Sequence, residues 1–125
     1  MILDTNAVSA ILAGDQRLAC VLDCVDHHHL PLLVIGEFQY GLLVSRKRKR
    51  LKSLLGRLEA ESILISPDRE TADWYAQIRH DLKKNGQPIP ENDLWISALA
   101  RQHRLEIVSQ DTHFDHVSGI RRVGW

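Results

Sequence analysis

Short apolar runs alternate along the chain with longer segments whose apolar residues recur at helical spacing. When a helix connects two neighbouring strands of one sheet, the crossover is right-handed and the strands run parallel. The pattern therefore predicts an α/β fold of three layers, with a mostly parallel central β-sheet flanked by helices. The predicted strands are residues 1–3, 30–35, 62–65 and 106–109, with a short last strand near 120–123.

Helical spacing and end signals place the predicted helices between these strands. Pro67 and Asp68 open a long helix that ends at Asn85 and Gly86, and Glu91 or Asn92 caps a further helix to about residue 103. The other predicted helices are residues 5–12, 16 to about 25, 36–44 and 49–61.

The composition fits one domain, residues 1–125, because 44% of the 125 residues are hydrophobic and suffice for a core. The apolar runs are too short to span a membrane, and the chain starts without a signal-peptide pattern, so we expect a cytoplasmic protein. The charges of the 16 basic and 16 acidic residues cancel, so the protein as a whole does not attract the negative charge of a nucleic acid.

The cations are unevenly distributed, with seven of the 16 lying between Arg46 and Arg57. Leucines at helical spacing in the same segment indicate an amphipathic helix whose other face is solvated. Contact with the phosphates of a nucleic acid is a compatible second interpretation.

Four acids are predicted to meet at the carboxyl-terminal edge of the sheet. Asp4 follows the first strand, Glu37 lies in the first turn after the second, and Asp111 follows the fourth, while Asp93 lies in the first turn of the helix before that strand. Each acid alone is explained by a helix N-terminus, which favours negative charge. Ligands of parallel sheets bind at this edge, however, so the four together indicate a shared site.

Crowded carboxylates repel one another unless a cation neutralises them, and Mg²⁺ and Mn²⁺ prefer oxygen ligands. The absence of predicted His or Cys partners disfavours zinc. Such sites support phosphodiester hydrolysis, because the ion activates a bound water and stabilises the attacking and leaving oxygens. His113 is the one histidine close in sequence to a candidate ligand, and we expect it to have a structural or surface role.

Four motifs carry a resemblance that covers essentially the whole chain. They are DTN at 4–6, IGEFQYG at 35–41, PIPENDLWISALA at 88–100 and IVSQDTHFDHVSGIRRVGW at 107–125. In this order and spacing the sequence resembles the PIN-domain ribonucleases, and within them the VapC-type toxins of type II toxin-antitoxin systems.

The resemblance implies an endoribonuclease that depends on Mg²⁺ or Mn²⁺, cleaves tRNA or rRNA, forms a homodimer and binds a cognate VapB-type antitoxin. It implies that Asp4 and Asp93 are the principal metal ligands and that Asp111 completes the metal and catalytic site. Glu37 would bind the ion directly or through water and orient the attacking water.

The resemblance also implies supporting residues, since Thr5, Asn6 and Ser109 match positions that hydrogen-bond these carboxylates. The departures from the family pattern are small. Ser109 stands where many members have Thr and keeps the hydroxyl group, and Asp111 stands where many have Asn and adds a charge that favours metal binding.

Two questions stay open at the level of sequence. As a hypothesis, cations guide RNA toward the acids; the candidates are Arg46, Arg48, Lys49, Lys83 and Lys84. The alternatives to a toxin are another nuclease role on the same fold and a non-catalytic RNA-binding or scaffold module that retains the acids as helix caps. A phosphoryl-accepting α/β domain is disfavoured, because the fourth strand is followed by Gln110 and Asp111 rather than by Lys.

Overall fold

The computed structural model describes residues 1–125 and contains one five-stranded sheet in which every strand pair is parallel. The strand order is β3-β2-β1-β4-β5, so β1 lies at the centre. The prediction of a mostly parallel sheet in an α/β fold is confirmed. The strands are β1 (Ile2–Leu3), β2 (His29–Pro31), β3 (Ile63–Ile65), β4 (Ile107–Val108) and β5 (Arg122–Val123).

Six helices pack around the sheet in two groups. The first four contact one another, and the last two pack together, which gives the predicted helical layers. None of the six is both long and apolar enough to cross a bilayer. The helices are α1 (Thr5–Ala13), α2 (Gln16–Leu22), α3 (Leu32–Leu43), α4 (Arg48–Glu61), α5 (Arg69–Lys84) and α6 (Glu91–His103), and a 3₁₀ helix spans Thr112–His116.

The strand order determines where a ligand can bind. The chain runs outward from β1 to β2 and β3 and then returns to place β4 on the other side of β1. Strand order therefore reverses between β1 and β4, and a crevice forms outside their carboxyl ends. The segments that follow Leu3 and Val108 face this crevice, because Leu3 and Val108 are paired in register.

The prediction of a strand over residues 30–35 is wrong beyond Pro31. β2 ends at Pro31, and the residues after it are already helical in α3. A short apolar run fits a buried strand and a buried helical turn equally well, so periodicity alone cannot separate the two. Val34 and Ile35 are buried because this turn packs against the core. Glu37 consequently lies in the second turn of α3 rather than in its first.

The end of α2 and the start of α6 also differ from the prediction. α2 ends at Leu22, earlier than about residue 25, and Leu18 is the one residue of this helix that is buried. The N-cap of α6 is Pro90 rather than Glu91 or Asn92, since its backbone is extended and Glu91 is already helical. The predicted ends of α5 are confirmed, with Asp68 at the N-cap and Asn85 at the C-cap.

Helix α6 lies between two apolar clusters, which fixes its position. Ile96 and Leu99 belong to the main core around β1 and β4, whereas Leu94 and Ala98 pack with residues of α5 in a smaller second core. Burial of side chains on opposite faces leaves the helix little freedom to shift. The first turn of α6 is therefore held firmly at the crevice.

Candidate metal centre

The four predicted acids reach the crevice from four different elements. Asp4 is the N-cap residue of α1 directly after β1, and Asp111 is the N-cap residue of the 3₁₀ helix that follows β4. Asp93 is the third residue of α6, and Glu37 lies in the second turn of α3. The topology thus brings acids that are far apart in sequence to one end of the sheet.

The Asp4 carboxylate is committed to this crevice rather than to capping its helix. Asp4 is 5% exposed and makes no side-chain capping bond to α1. Its Oδ2 atom instead accepts hydrogen bonds of 2.8 Å from Asn6 Nδ2 and 2.8 Å from Ser109 Oγ. These two bonds fix the direction of the carboxylate. The sequence leaves side-chain capping by Asp4 open, and the structure shows no such hydrogen bond, although Asp4 is the N-cap residue of α1.

A hydrogen-bond network joins the segment after β1 to the segment after β4. Asn6 Nδ2 also donates to Ser109 Oγ at 2.9 Å, and its Oδ1 accepts from the Gln110 backbone at 3.1 Å. The Asp111 backbone N–H donates to Ser109 Oγ at 2.9 Å. Asn6 and Ser109 therefore position Asp4 and the backbone that carries Asp111 at the same time.

Glu37 lies at the exposed rim of the crevice. Its Oε2 atom accepts a hydrogen bond of 2.7 Å from Thr5 Oγ1 and a longer one of 3.4 Å from Asn92 Nδ2. Thr5 and Asn92 flank Asp4 and Asp93 in sequence, so these bonds tie Glu37 to both. The sequence did not predict the hydrogen bond from Asn92 to Glu37, because it identified Asn92 only as a possible helix cap.

The most compact part of the crevice contains Asp93, Asp111 and His113, each of which offers one ligand atom within 4.8 Å of the others. His113 Nδ1 lies 2.9 Å from Asp111 Oδ1 and 3.3 Å from Asp93 Oδ2. Neither contact has hydrogen-bond geometry, so Nδ1 and Asp93 Oδ2 are both buried without a hydrogen-bond partner. The expectation that His113 has only a structural or surface role is not supported by this placement.

The electrostatics of the crevice disfavour the metal-free, fully charged state. Burial, followed by repulsion from Asp4 and Asp111, raises the pKa of Asp93 from 3.8 to about 6, against the opposing effect of His113. Burial likewise raises the pKa of Asp4, although the hydrogen bond from Ser109 offsets part of that rise. A bound cation removes both penalties, since it replaces lost hydration and neutralises the crowded charges.

The donor set fits a divalent cation. An unpaired buried carboxylate oxygen is costly, and ligation of a metal ion is one of the few ways in which a protein satisfies such an atom. Asp93 Oδ2 is such an atom, and the Asp111 carboxylate offers a second oxygen ligand close to it, which is the chemistry of a hard cation. His113 is an addition to the predicted all-oxygen set.

The candidate RNA-contacting cations are all exposed and lie in two places. Arg46 precedes α4 and Arg48 and Lys49 begin it, whereas Lys83 and Lys84 end α5. Lys83 lines a cavity with Glu91, which is close to Asp93 in the first turn of α6. The two groups are thus carried by different helical layers.

Asp115, the remaining acid of the 3₁₀ helix, is paired with a cation rather than with the acids of the crevice. Its carboxylate forms two hydrogen bonds with Arg122, at 2.9 Å from Nε and 2.8 Å from Nη2. This bidentate pair links the 3₁₀ helix to β5.

The fold and the crevice define an α/β domain with an acidic centre suited to a divalent metal. The family model for the PIN domain matches residues 1–120, and the chain belongs to this family. It is 33% identical to toxin FitB of Neisseria gonorrhoeae, over 90% of this chain and 88% of that protein. It is 26% identical to ribonuclease VapC5 of Mycobacterium tuberculosis, over 98% of this chain and 90% of the relative.

A solved structure shows the same fold. The crystal structure of VapBC2 from Rickettsia felis, bound to a DNA fragment from their promoter, superposes with a TM-score of 0.91 at 21% identity. The match covers 99% of this chain and 97% of the matched chain. The resemblance to PIN domains inferred from the four motifs is confirmed.

Proposed function

We propose that this protein is a metal-dependent endoribonuclease, with Mg²⁺ or Mn²⁺ as cofactor, and the toxin of a toxin-antitoxin pair. The observation that carries the proposal is the buried Asp93 Oδ2 atom, which lacks a hydrogen-bond donor and faces other ligand atoms at the switch point of the sheet. Relatives named as a toxin and as a ribonuclease support the assignment. Residues 1–125 act in this proposal as a single catalytic domain.

The proposed roles follow from the contacts of each acid. A bound divalent ion supplies a water of lowered pKa and positive charge for the attacking and leaving oxygens of the phosphodiester. Asp4 and Asp93, which are close enough to raise the pKa of Asp93 by repulsion, would hold the ion, and Asp111 would complete the pocket. Because Asn6 and Ser109 hold the Asp4 carboxylate in one orientation, this ligand is preorganised.

Glu37 is suited to orient the attacking water. Thr5 and Asn92 occupy its Oε2 atom, so Oε1 is left to accept a hydrogen bond from a water in the open crevice. A carboxylate at this place can also take the proton that the water loses on attack. Exposure at the rim gives an RNA strand access to Glu37, whereas Asp4 and Asp93 are buried beneath it.

RNA, with tRNA or rRNA as the substrate class, is proposed to approach along exposed cations. The five candidate cations form two exposed groups, one at the start of α4 and one at the end of α5; they are Arg46, Arg48, Lys49, Lys83 and Lys84. Contacts to phosphates supply affinity without sequence preference, so base recognition must come from elsewhere in the crevice.

The proposed protein partners are a VapB-type antitoxin and a second copy of the chain, in the cytoplasm. Large apolar side chains are exposed on α3, at its C-cap and on the edge strand β3, which supports an interaction surface. They are Leu32, Tyr40, Leu43, Val44, Ile63 and Leu64.

The proposal is tested by incubating purified protein with a pool of tRNA and rRNA in Mg²⁺, Mn²⁺ or EDTA. We expect discrete fragments that disappear with EDTA and in Asp4→Asn and Asp93→Asn. Asp26→Asn is a matched control, because it removes the charge of an exposed acid in the loop after α2. Cleavage that survives EDTA, or that Asp93→Asn leaves intact, would refute the metal-dependent mechanism.

A further inference from the structure

We propose that His113 Nδ1 is a direct ligand of the divalent ion, in addition to the carboxylates. This inference rests on the proposed function, since it concerns the same metal centre. It adds a nitrogen donor to a set that the sequence predicted to contain oxygen alone.

The spacing of the donor atoms matches that of neighbouring ligands on one ion. His113 Nδ1 lies 2.9 Å from Asp111 Oδ1 and 3.3 Å from Asp93 Oδ2. Adjacent ligands of an octahedral ion with bonds near 2.1 Å are about 3 Å apart. Both distances from Nδ1 thus match the separation of adjacent ligands on a common ion.

Hydrogen bonding does not account for the position of the ring. The Nδ1 atom contacts both carboxylates without hydrogen-bond geometry, and it is buried at a place where no other partner reaches it. A neutral imidazole that served only to anchor the turn would direct an N–H at one of these oxygens. A ring nitrogen that lies close to two carboxylates without a hydrogen bond to either is instead the arrangement of a metal ligand.

The local backbone delivers the ring to the crevice. Asp111 caps the 3₁₀ helix by accepting a hydrogen bond of 2.9 Å from the His113 backbone N–H, which brings the two side chains to the same end of the turn. Phe114, 1% exposed, inserts into the main core and anchors the turn from the other side. His113 is therefore positioned by its neighbours rather than by contacts of its own ring.

A nitrogen ligand changes which ions the centre prefers. Mg²⁺ favours oxygen donors, whereas imidazole is a good ligand for transition metals. We therefore expect His113 to increase affinity for Mn²⁺ relative to Mg²⁺, and its replacement to reduce this selectivity.

The test is pulsed electron paramagnetic resonance of the Mn²⁺-loaded protein, which detects ¹⁴N bound directly to the ion. We expect nitrogen modulation in the wild type and in His116→Gln, and its loss in His113→Gln. His116 is the matched control, because it is an exposed histidine of the same 3₁₀ helix. Wild-type protein labelled with ¹⁵N-histidine should show the corresponding isotope change, and this arm requires no substitution.

Titration with Mn²⁺, with Mg²⁺ as competitor, measures the selectivity of the centre for Mn²⁺ over Mg²⁺. We expect Mn²⁺ to bind His113→Gln at least about tenfold more weakly than it binds the wild type, and we expect a smaller change for Mg²⁺. Loss of a residue that only hydrogen-bonds a metal ligand already weakens metal binding by about tenfold or more, so loss of a direct ligand should cost at least as much. Mn²⁺ that binds without nitrogen modulation, yet is lost in Asp93→Asn, would overturn the role of His113 and leave the proposed nuclease intact. A wild type that binds no Mn²⁺ would overturn both.

Discussion

Replacing Asp93 with Asn should stabilise the metal-free protein and destabilise the metal-loaded one relative to the wild type. The pKa of Asp93 is about 6 in the folded protein against 3.8 for an ordinary Asp, chiefly because of burial. At neutral pH the folded state therefore carries a charge that the unfolded chain tolerates better. At about 1.4 kcal/mol for each tenfold change in proton affinity, this cost has an upper limit of about 3 kcal/mol.

The pH dependence has a definite sign. Because the folded pKa of Asp93 lies above the unfolded one, its charge destabilises the fold fully above about pH 6, and this cost disappears as the pH falls toward about 4. Asp93→Asn removes the cost at neutral pH and changes little near pH 4. In EDTA at pH 7 the variant should therefore melt at a higher temperature, by up to about 10 °C for a domain of this size.

The assay is thermal unfolding followed by circular dichroism, in EDTA and in Mn²⁺, at pH 7 and pH 4. Mn²⁺ should raise the melting temperature of the wild type and leave Asp93→Asn nearly unchanged, so that the order of the two proteins reverses. Asp26→Asn controls for the loss of a negative charge elsewhere. A variant less stable than the wild type in EDTA at pH 7 would show that the Asp93 charge is already compensated without metal.

Three further outcomes are expected. Ser109→Ala should weaken Mn²⁺ binding by about 10- to 100-fold, measured by titration, because Asp4 Oδ2 loses a 2.8 Å hydrogen bond that orients it; unchanged affinity would remove Ser109 from the centre. Charge reversal at Arg48 and Lys49 should weaken RNA binding and lower the salt dependence of affinity by about 0.7 logarithmic units per lost phosphate contact; an unaltered slope excludes both residues from the RNA path. Phe114→Ala should lower the free energy of unfolding by about 3–5 kcal/mol in urea denaturation, since the ring is 1% exposed in the main core; a loss below about 1 kcal/mol would contradict its anchoring role.

The sheet was predictable because each strand is an apolar run separated from the next by a helical pattern. The strand predicted for the run LPLLVI is wrong because its last four residues form the first turn of α3, in which Val34 and Ile35 are buried. So short an apolar run carries no periodicity that separates a strand from a helical turn. The error moved Glu37 by one helical turn but left it at the same edge. The predicted sheet edge for Glu37 was therefore correct even though the predicted start of its helix was wrong.

The contacts within the crevice were only partly predictable. Asp4, Asp93 and Asp111 were found from their positions after strands or at the start of a helix, which the fold class determines. His113 was missed because its direction depends on the 3₁₀ turn after Asp111, and no periodicity signals so short a turn. The spacing of two residues in DTH is the one signal that could have suggested the pair.

Anomalous X-ray diffraction from crystals grown with Mn²⁺ would locate the ion itself. We expect an anomalous peak in the crevice between β1 and β4, with Asp93 Oδ2 and Asp4 among the ligands at about 2.0–2.3 Å. The same crystals of Asp93→Asn should lose this peak. Ordered Mn²⁺ elsewhere on the protein, with the crevice acids paired only to side chains or water, would contradict a metal centre at this crevice.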